Sequence, residues 1–265
     1  MSRPRARDEK GLSQMCRFHL LGPCKVHWLV MERDSLSKVR AEIVSCEKCP
    51  RLRKWCQHAA MVKVARYRHQ TYWGRPVPGF GDPKARLLIV GLAPAANGGN
   101  RTGRVFTGDP SGDFLFPALH RAGFANQPTA VWRDDGLEMR DAYIVAAVRC
   151  APPDNKPEPM ETLTCRPYLT RDFQLLRPRA VLTLGKFALD AFTGMLRAEG
   201  EIGPRGSFKF GHGLSHDLPP DPSSAETRKI FISYHPSQRN TFTKTLTPPM
   251  LDAVLGDIND FLKRH

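Results

Sequence analysis

Apolar positions along the chain gather into four short, nearly unbroken runs: RLLIVGL (86–92), YIVAAV (143–148), AVLTLG (180–185) and KIFISY (229–234). Continuous rather than alternating apolar runs of this length read as strands covered on both faces, as in a parallel sheet. Between them the spacing becomes helical, from about Ser111 to Ala122, from near Pro157, around Phe187–Leu196, and through the C-terminal TPPMLDAVLGDINDFLKR. This alternation predicts an α/β fold, three layers (α/β/α) around a central four-stranded parallel sheet. Upstream, MERDSLSKVRAEIVSCEKCPRL reads as a helix entering a cysteine pair. TYWGRPVPGFGDPKA, with three prolines and three glycines, reads as an extended loop feeding the first strand. Residues 1–30 show neither periodicity. They are expected to be an N-terminal extension, disordered or not translated, with Met31 as the alternative start and 31–265 as one folded domain.

With 41% hydrophobic and 25% charged residues in 265, the chain has the makings of an ordinary globular core, which excludes collagen-like, mucin-like and wholly disordered classes. No apolar run approaches the roughly 20 residues that a membrane-crossing helix needs, so no membrane span is expected. The apolar part of the first thirty residues is broken by Arg17, His19, Pro23 and Lys25, unlike a secretory leader, and a cytoplasmic location is expected (nucleoid-associated in a prokaryote). The net charge of +14 is the larger clue. About +4 lies in residues 1–30 and +10 in the remainder, so the bias is not confined to a tail. A polyanion, DNA first, is the expected partner; the bland alternative is a protein kept soluble by its charge. A monomer is the default expectation.

In parallel sheets ligands bind beyond the carboxyl ends of the strands, so the loops after Leu92, Val148, Gly185 and Tyr234 are where chemistry is expected. GLAPAANGGNRTGRVFTGDPSGDFL (91–115) has small residues that admit close backbone approach, and Arg101 and Arg104 could meet phosphates. It contains neither G-K-[ST] nor G-x-G-x-x-G. Asp113 or Ser111 is expected to cap the following helix, leaving Asp109 for the site. After the fourth strand, YHPSQRNT (234–241) places His235 and Asn240 in the same crevice. Cys46 and Cys49 form a C-x2-C pair, joined by Cys150 just after a strand and Cys165 in a helical segment. Four soft ligands in two groups suit Zn²⁺ or an iron–sulfur cluster; the second pair is not a zinc-ribbon knuckle, which favours [4Fe–4S]. Alternatively Cys150 and Cys165 are buried small hydrophobes. Cys16, Cys24 and Cys56 are left unassigned.

The motifs CEKCP, YWGRPVPGFGDP, GLAPAANGGNRTGRVFTGD, AAVRCAPPDNKP, VLTLG and SYHPSQRNT, in this order across residues 31–265, resemble the family 5 uracil-DNA glycosylases, the UdgB branch of their superfamily. The resemblance implies a [4Fe–4S] cluster on Cys46, Cys49, Cys150 and Cys165 that pins the N-terminal segment to the core. Related family 4 enzymes carry Glu where this chain has Ala93 and a uracil-reading Asn at the position of Ala146. Their loss moves the water-handling carboxylate to Asp109 and loosens base selection, implying excision of uracil and of other damaged bases such as hypoxanthine. Asn97 departs from the His of many relatives. In this picture the flipped base stacks on Phe106, donors from His235 and the backbone of Gly91, Leu92 and Ala93 meet the leaving base, and Asn240 holds the loop or a base edge. Arg101, Arg104, Lys244 and the 235–247 loop would contact DNA, the loop entering the duplex. No lysine is placed as an amine nucleophile, so a monofunctional N-glycosylase is expected. Two rivals explain the cysteines and the charge, but not FTGD together with SYHPS. One is a non-catalytic, cluster- or zinc-stabilised nucleic-acid-binding module; the other is an iron–sulfur redox protein.

Overall fold

The computed structural model describes residues 34–221 and 224–264; the extension expected at residues 1–30, with Cys16 and Cys24, lies outside them. In chain order the elements begin with α1 (Leu36–Val44), α2 (Pro50–Val62), β1 (Phe80–Gly81), β2 (Leu87–Gly91), α3 (Gly99–Thr102), α4 (Pro110–Arg121) and β3 (Ala142–Ala146). They continue with α5 (Pro159–Leu176), β4 (Ala180–Leu184), α6 (Lys186–Ala198), β5 (Ser215–Leu218), β6 (Arg228–Ser233), α7 (Gln238–Phe242) and α8 (Pro248–Arg264).

The four apolar runs are the strands β2, β3, β4 and β6, and they run parallel, with Ile89 beside both Ile144 and Leu182, and Leu182 beside Phe231. The sheet is wider than the expected four strands. Its order is β1-β3-β2-β4-β6-β5, with β1 and β5 added antiparallel at the two edges. Neither edge carries an apolar run. β1 is two residues inside the proline- and glycine-rich loop, and β5 is the polar segment SHDL.

Alternate strand residues feed two cores. Leu87, Ile89, Ile144, Leu182 and Phe231 pack with Leu115, Phe116 and Leu119 of α4 and Leu251, Val254, Leu255 and Ile258 of α8. Leu88, Val90, Val145, Val181 and Ile230 pack with Leu169 and Phe173 of α5 and Leu189, Phe192 and Met195 of α6. Both sheet faces are therefore covered, which is why these strands read as nearly continuous apolar runs. Each such buried side chain is worth about 1.5–3 kcal/mol over its exposed state. The helices answer with apolar residues at i, i+3, i+4 and i+7, as in Leu251, Val254, Leu255 and Ile258.

The N-terminal helices are fastened to α5. Arg171 forks between Asp34 and Glu42, while Val39 and Ile43 pack with Cys165 and Tyr168. Arg51 Nε lies 2.8 Å from Glu158 and 3.0 Å from Glu161. These ties hold the Cys46–Cys49 turn against the helix that carries Cys165. Among the described residues no helix is long and apolar enough to cross a membrane.

Candidate active site

The parallel strands open their carboxyl ends on one side, and the loops after β2 and β6 meet there. At the end of β2 the ladder runs one residue on, Gly91 and Leu92 accepting from the backbone N–H of Ala147 (2.9 Å) and Val148 (3.0 Å). The loop then folds back so that the Phe106 ring lies over the end of β2. A Cβ on Gly91 would stand 2.6 Å from Phe106 Cζ, so glycine is required for the ring to sit there. Phe106 has φ +50°, a left-handed conformation rarely adopted outside glycine. Strain of this kind persists where the surroundings impose it, and here it fixes an aromatic face at the floor of the crevice.

Asp109 follows three residues on and is the N-cap of α4. Its Oδ1 accepts from the backbone N–H of both Ser111 and Gly112 at 3.0 Å. The expectation that Asp113 or Ser111 would cap the helix is therefore corrected: Pro110 occupies the first helical turn, so the carboxylate before it is the one that reaches the open N–H groups. The cap uses one oxygen. The other is pressed on the Gly98 backbone, where a Cβ would lie 2.0 Å from Oδ2. Burial pushes the Asp109 carboxyl above the usual carboxylate range, although the two cap bonds and Arg101 pull the other way.

His235 leaves β6 on a loop held from below. Its carbonyl accepts from Asn240 Nδ2 at 2.9 Å and from Ser237 N at 2.8 Å, and Ser237 Oγ caps α7 by accepting from Asn240 N. Asn240 is thus placed to hold the loop, the first of its two expected uses. The imidazole stands 6.0 Å, centroid to centroid, from the Phe106 ring, and no described group hydrogen-bonds its nitrogens. Burial pushes its pKa down to about 4, so at neutral pH the ring is uncharged and retains one N–H to donate. Ala93 is half-buried against the cluster of Leu52, Cys56, Val148 and Cys150, and Ala146 is buried in the floor with Phe106.

Arg101 and Arg104 do not face a ligand. Both are buried and their forks are committed to protein. Arg101 donates to the carbonyls of Asn97 and Gly108 (both 2.7 Å) and to Gln70 Oε1 (2.7 Å), with its guanidinium 3.9 Å from the Tyr67 ring. Arg104 makes a bidentate pair with Asp135 at 2.9 and 2.8 Å and also donates to Thr107 and the Arg133 carbonyl. The expected phosphate contacts are corrected to loop fastening. Lys244, in contrast, is exposed on the loop after α7.

Cys46, Cys49, Cys150 and Cys165 line one narrow pocket together with Arg53, Pro76, Arg149 and Tyr168. Cys49 ends the turn as the N-cap residue of α2, and Cys165 Sγ accepts from Arg149 N at 3.3 Å. Burial pushes the Cys165 thiol up to about 11. Among the described residues no three His, Cys, Asp or Glu side chains are gathered as ligands of a single metal ion. Cys56 is a core residue beside Cys150, its Sγ 3.5 Å from the Ala151 carbonyl.

Two features escape a sequence reading. Tyr72 donates its hydroxyl to Asn97 Oδ1 (2.9 Å), fixing the loop residue before Gly98; nothing in the sequence pairs positions this far apart. Phe242, 79% exposed, projects from the short helix beyond His235. Its signal was available: one aromatic in the otherwise polar run SQRNTFTKT.

Known proteins similar to this chain point to its family. The sequence profile described as the Uracil DNA glycosylase superfamily matches residues 78–259. The type-5 uracil-DNA glycosylase of Mycobacterium tuberculosis is 48% identical over 225 residues, 84% of this chain and 80% of the relative. That of Thermus thermophilus is 44% identical over 226 residues, 85% and 96% of the two chains. The type-4 uracil-DNA glycosylase of Sulfurisphaera tokodaii is 32% identical over 154 residues, 58% of this chain and 56% of the relative. A match over most of the folded chain, with the strand-end loops included, places the protein in a family: the chain belongs to the uracil-DNA glycosylase superfamily.

Proposed function

We propose that the protein is a monofunctional DNA N-glycosylase that hydrolyses the bond between uracil and deoxyribose, leaving an abasic site for base excision repair. Membership of the superfamily and the type-5 relatives support uracil excision. The observation that carries the reading is the pairing, around one aromatic floor, of a half-buried carboxylate with one oxygen outside the helix cap and a neutral imidazole without partners. A flipped uracil stacks on Phe106. As the C1′–N1 bond breaks, its electron pair passes to the base, and the sugar becomes cationic. His235 donates its N–H to the base oxygen where negative charge grows, assisted by the backbone N–H groups of Leu92 and Ala93. Asp109 faces the positive sugar, orients water at C1′ and accepts its proton as the new C–O bond forms. A raised carboxyl pKa makes it a better proton acceptor than a solvated aspartate.

Substrate breadth rests on what is missing from the crevice. Ala93 and Ala146 offer only methyl groups to the base, so no side chain there demands one pattern of donors and acceptors. Hypoxanthine, whose carbonyl also accepts from a neutral imidazole, is the second substrate we assign. Phe242, together with Lys244, belongs to the loop that enters the duplex where the base has left. Cys46, Cys49, Cys150 and Cys165, which line one pocket, would hold a [4Fe–4S] cluster. When bound, it supplies a covalent link between the N-terminal helices and α5, and the hydrolysis draws no electron from it.

The test is strand cleavage after alkali of a duplex bearing one uracil, with Asp109→Asn beside the wild type. Excision by wild type and its loss in the variant with binding retained supports the reading. Binding without excision of uracil or hypoxanthine by wild type replaces it with the non-catalytic binding module.

A further inference from the structure

From Lys48 to Gly81 the sequence holds eight Lys and Arg residues and not one Asp or Glu. Several of these cations are used internally: Arg51 pairs with Glu158 and Glu161, and Arg53 with Glu47. Lys63, Arg66 and Arg68 are not paired with a carboxylate among the described residues. Lys63 and Arg66 lie over the Tyr72 and Tyr67 rings (6.0 and 5.0 Å), and Arg68 Nε donates to His69 at 2.9 Å. Interleaved with them are three aliphatic side chains turned to solvent, Met61, Val62 and Val64, exposed by 74%, 66% and 42%. The chain presents them on the last turn of α2, a left-handed Lys63 and the 3-10 turn Ala65–Tyr67.

This patch is tied to the crevice. Arg101 lies under the Tyr67 ring at 3.9 Å and donates to Gln70 Oε1 with one nitrogen, while another donates to the Gly108 carbonyl, adjacent to Asp109. A duplex whose extruded nucleotide reaches Asp109 must extend over the protein surface on either side of it. One of those sides begins at Tyr67. Exposed aliphatics among unpaired cations are what a nucleic-acid backbone and its sugar edges require: phosphates take the charge, and the apolar side chains pack in the minor groove.

We propose that residues 61–68 form a clamp for the DNA flanking the lesion, with Lys63, Arg66 and Arg68 on phosphates and Met61, Val62 and Val64 against the sugar edges. The inference rests on the glycosylase reading and names the surface that holds its substrate. Arg101 then serves as the strut that keeps clamp and Asp109 in register.

The experiment compares wild type with the Lys63→Ala/Arg66→Ala/Arg68→Ala triple variant. One arm measures binding of a long duplex carrying an uncleavable abasic-site analogue as salt is raised. Another measures uracil excision from that long duplex and from an oligonucleotide trimmed close to the uracil. Loss of three phosphate contacts lowers the salt slope by about 2.7, so between about 50 and 200 mM salt the variant loses about 40-fold less affinity than wild type. The variant is expected to show a raised KM on the long duplex, unchanged kcat at saturation, and wild-type excision of the trimmed substrate. A variant with the wild-type salt slope and KM overturns the clamp and leaves the patch to a protein partner. Failure of wild type to excise uracil from either substrate instead overturns the glycosylase reading on which the clamp depends.

Discussion

The proposed chemistry gives Asp109 a second use beside its helix cap, and a pair of substitutions separates the two. Asn at this position keeps an Oδ1 that accepts from Ser111 and Gly112, so the α4 cap survives while the charge is lost; Ala loses both. Removal of such a cap costs about 1 kcal/mol, which in a domain of this size is about 2–4 °C in Tm. The charge has its own effect on stability. Because burial raises the Asp109 carboxyl above its unfolded value, its contribution is full at low pH and is lost as pH rises through the folded pKa. The ionised group therefore strains the fold at neutral pH, and Asp109→Asn is expected to melt at or above the wild-type temperature while Asp109→Ala melts below it. Catalysis reverses the grouping. Both variants lack the carboxylate proposed to face the sugar, and if it is worth about 3 kcal/mol in the transition state, each loses about 100-fold or more in single-turnover uracil excision. An Asn variant within a few-fold of wild type would refute the chemical role and assign any defect of the Ala variant to the cap. An Ala variant with an unchanged Tm would refute the capping assignment.

The other expectations concern groups that support this one. His235→Ala is expected to lower excision about 100-fold; in the wild type, a His235 pKa near 4 leaves the imidazole neutral across the working range, so the acid limb of the pH–rate profile belongs to Asp109, and a His-like limb near 6.5 would contradict the assignment. That same depressed pKa gives stability present above about 6.5 and lost as pH falls toward about 4, measurable as a declining Tm over that window. Gly98→Ala drives a methyl to where Asp109 Oδ2 lies, so kcat is expected to fall well below wild type in a protein whose circular dichroism is unchanged; full activity would show that the second oxygen needs no fixed position. Cys165→Ser is expected to abolish the broad visible absorbance and most of the bound iron of aerobically stable protein and to lower Tm, whereas iron content equal to wild type would remove Cys165 from the ligand set.

Much of the fold was legible because burial on both sheet faces writes itself as unbroken apolar runs, and β2, β3, β4 and β6 were found within a residue or two of their ends. The edges were not, because β1 and β5 owe their pairing to neighbours and carry polar or single aromatic residues. In the site, the meeting of the loops after β2 and β6, with Phe106 6.0 Å from His235, is legible from their positions beyond the strand ends. The two arginines show why charge is hard to read: Arg101 and Arg104 look identical in sequence whether their forks meet phosphate or carbonyls, and only the partners Gly108, Gln70 and Asp135 decide it.

The glycines of the loop after β2 carry the same lesson further. Their density was a true sign of close approach, but the approaching groups are the protein's own: the Phe106 ring on Gly91, the Asp109 carboxylate on Gly98, the Arg101 guanidinium on Gly108. The first two contacts fix groups of the proposed site before substrate arrives, and the third fastens the loop that carries them. A carboxylate held by two backbone N–H groups and a glycine surface has little freedom left to lose, and the aromatic floor is packed on Gly91. The base is then met by groups whose ordering was completed during folding, which is the condition under which electrostatic stabilisation costs no reorganisation at the moment of bond cleavage. On the proposed reading selectivity does not gain from the same rigidity, because Ala93 and Ala146 carry no hydrogen-bonding side chain. A site rigid toward the sugar and undemanding toward the base should vary more in rate with the leaving ability of the base than with its hydrogen-bonding pattern.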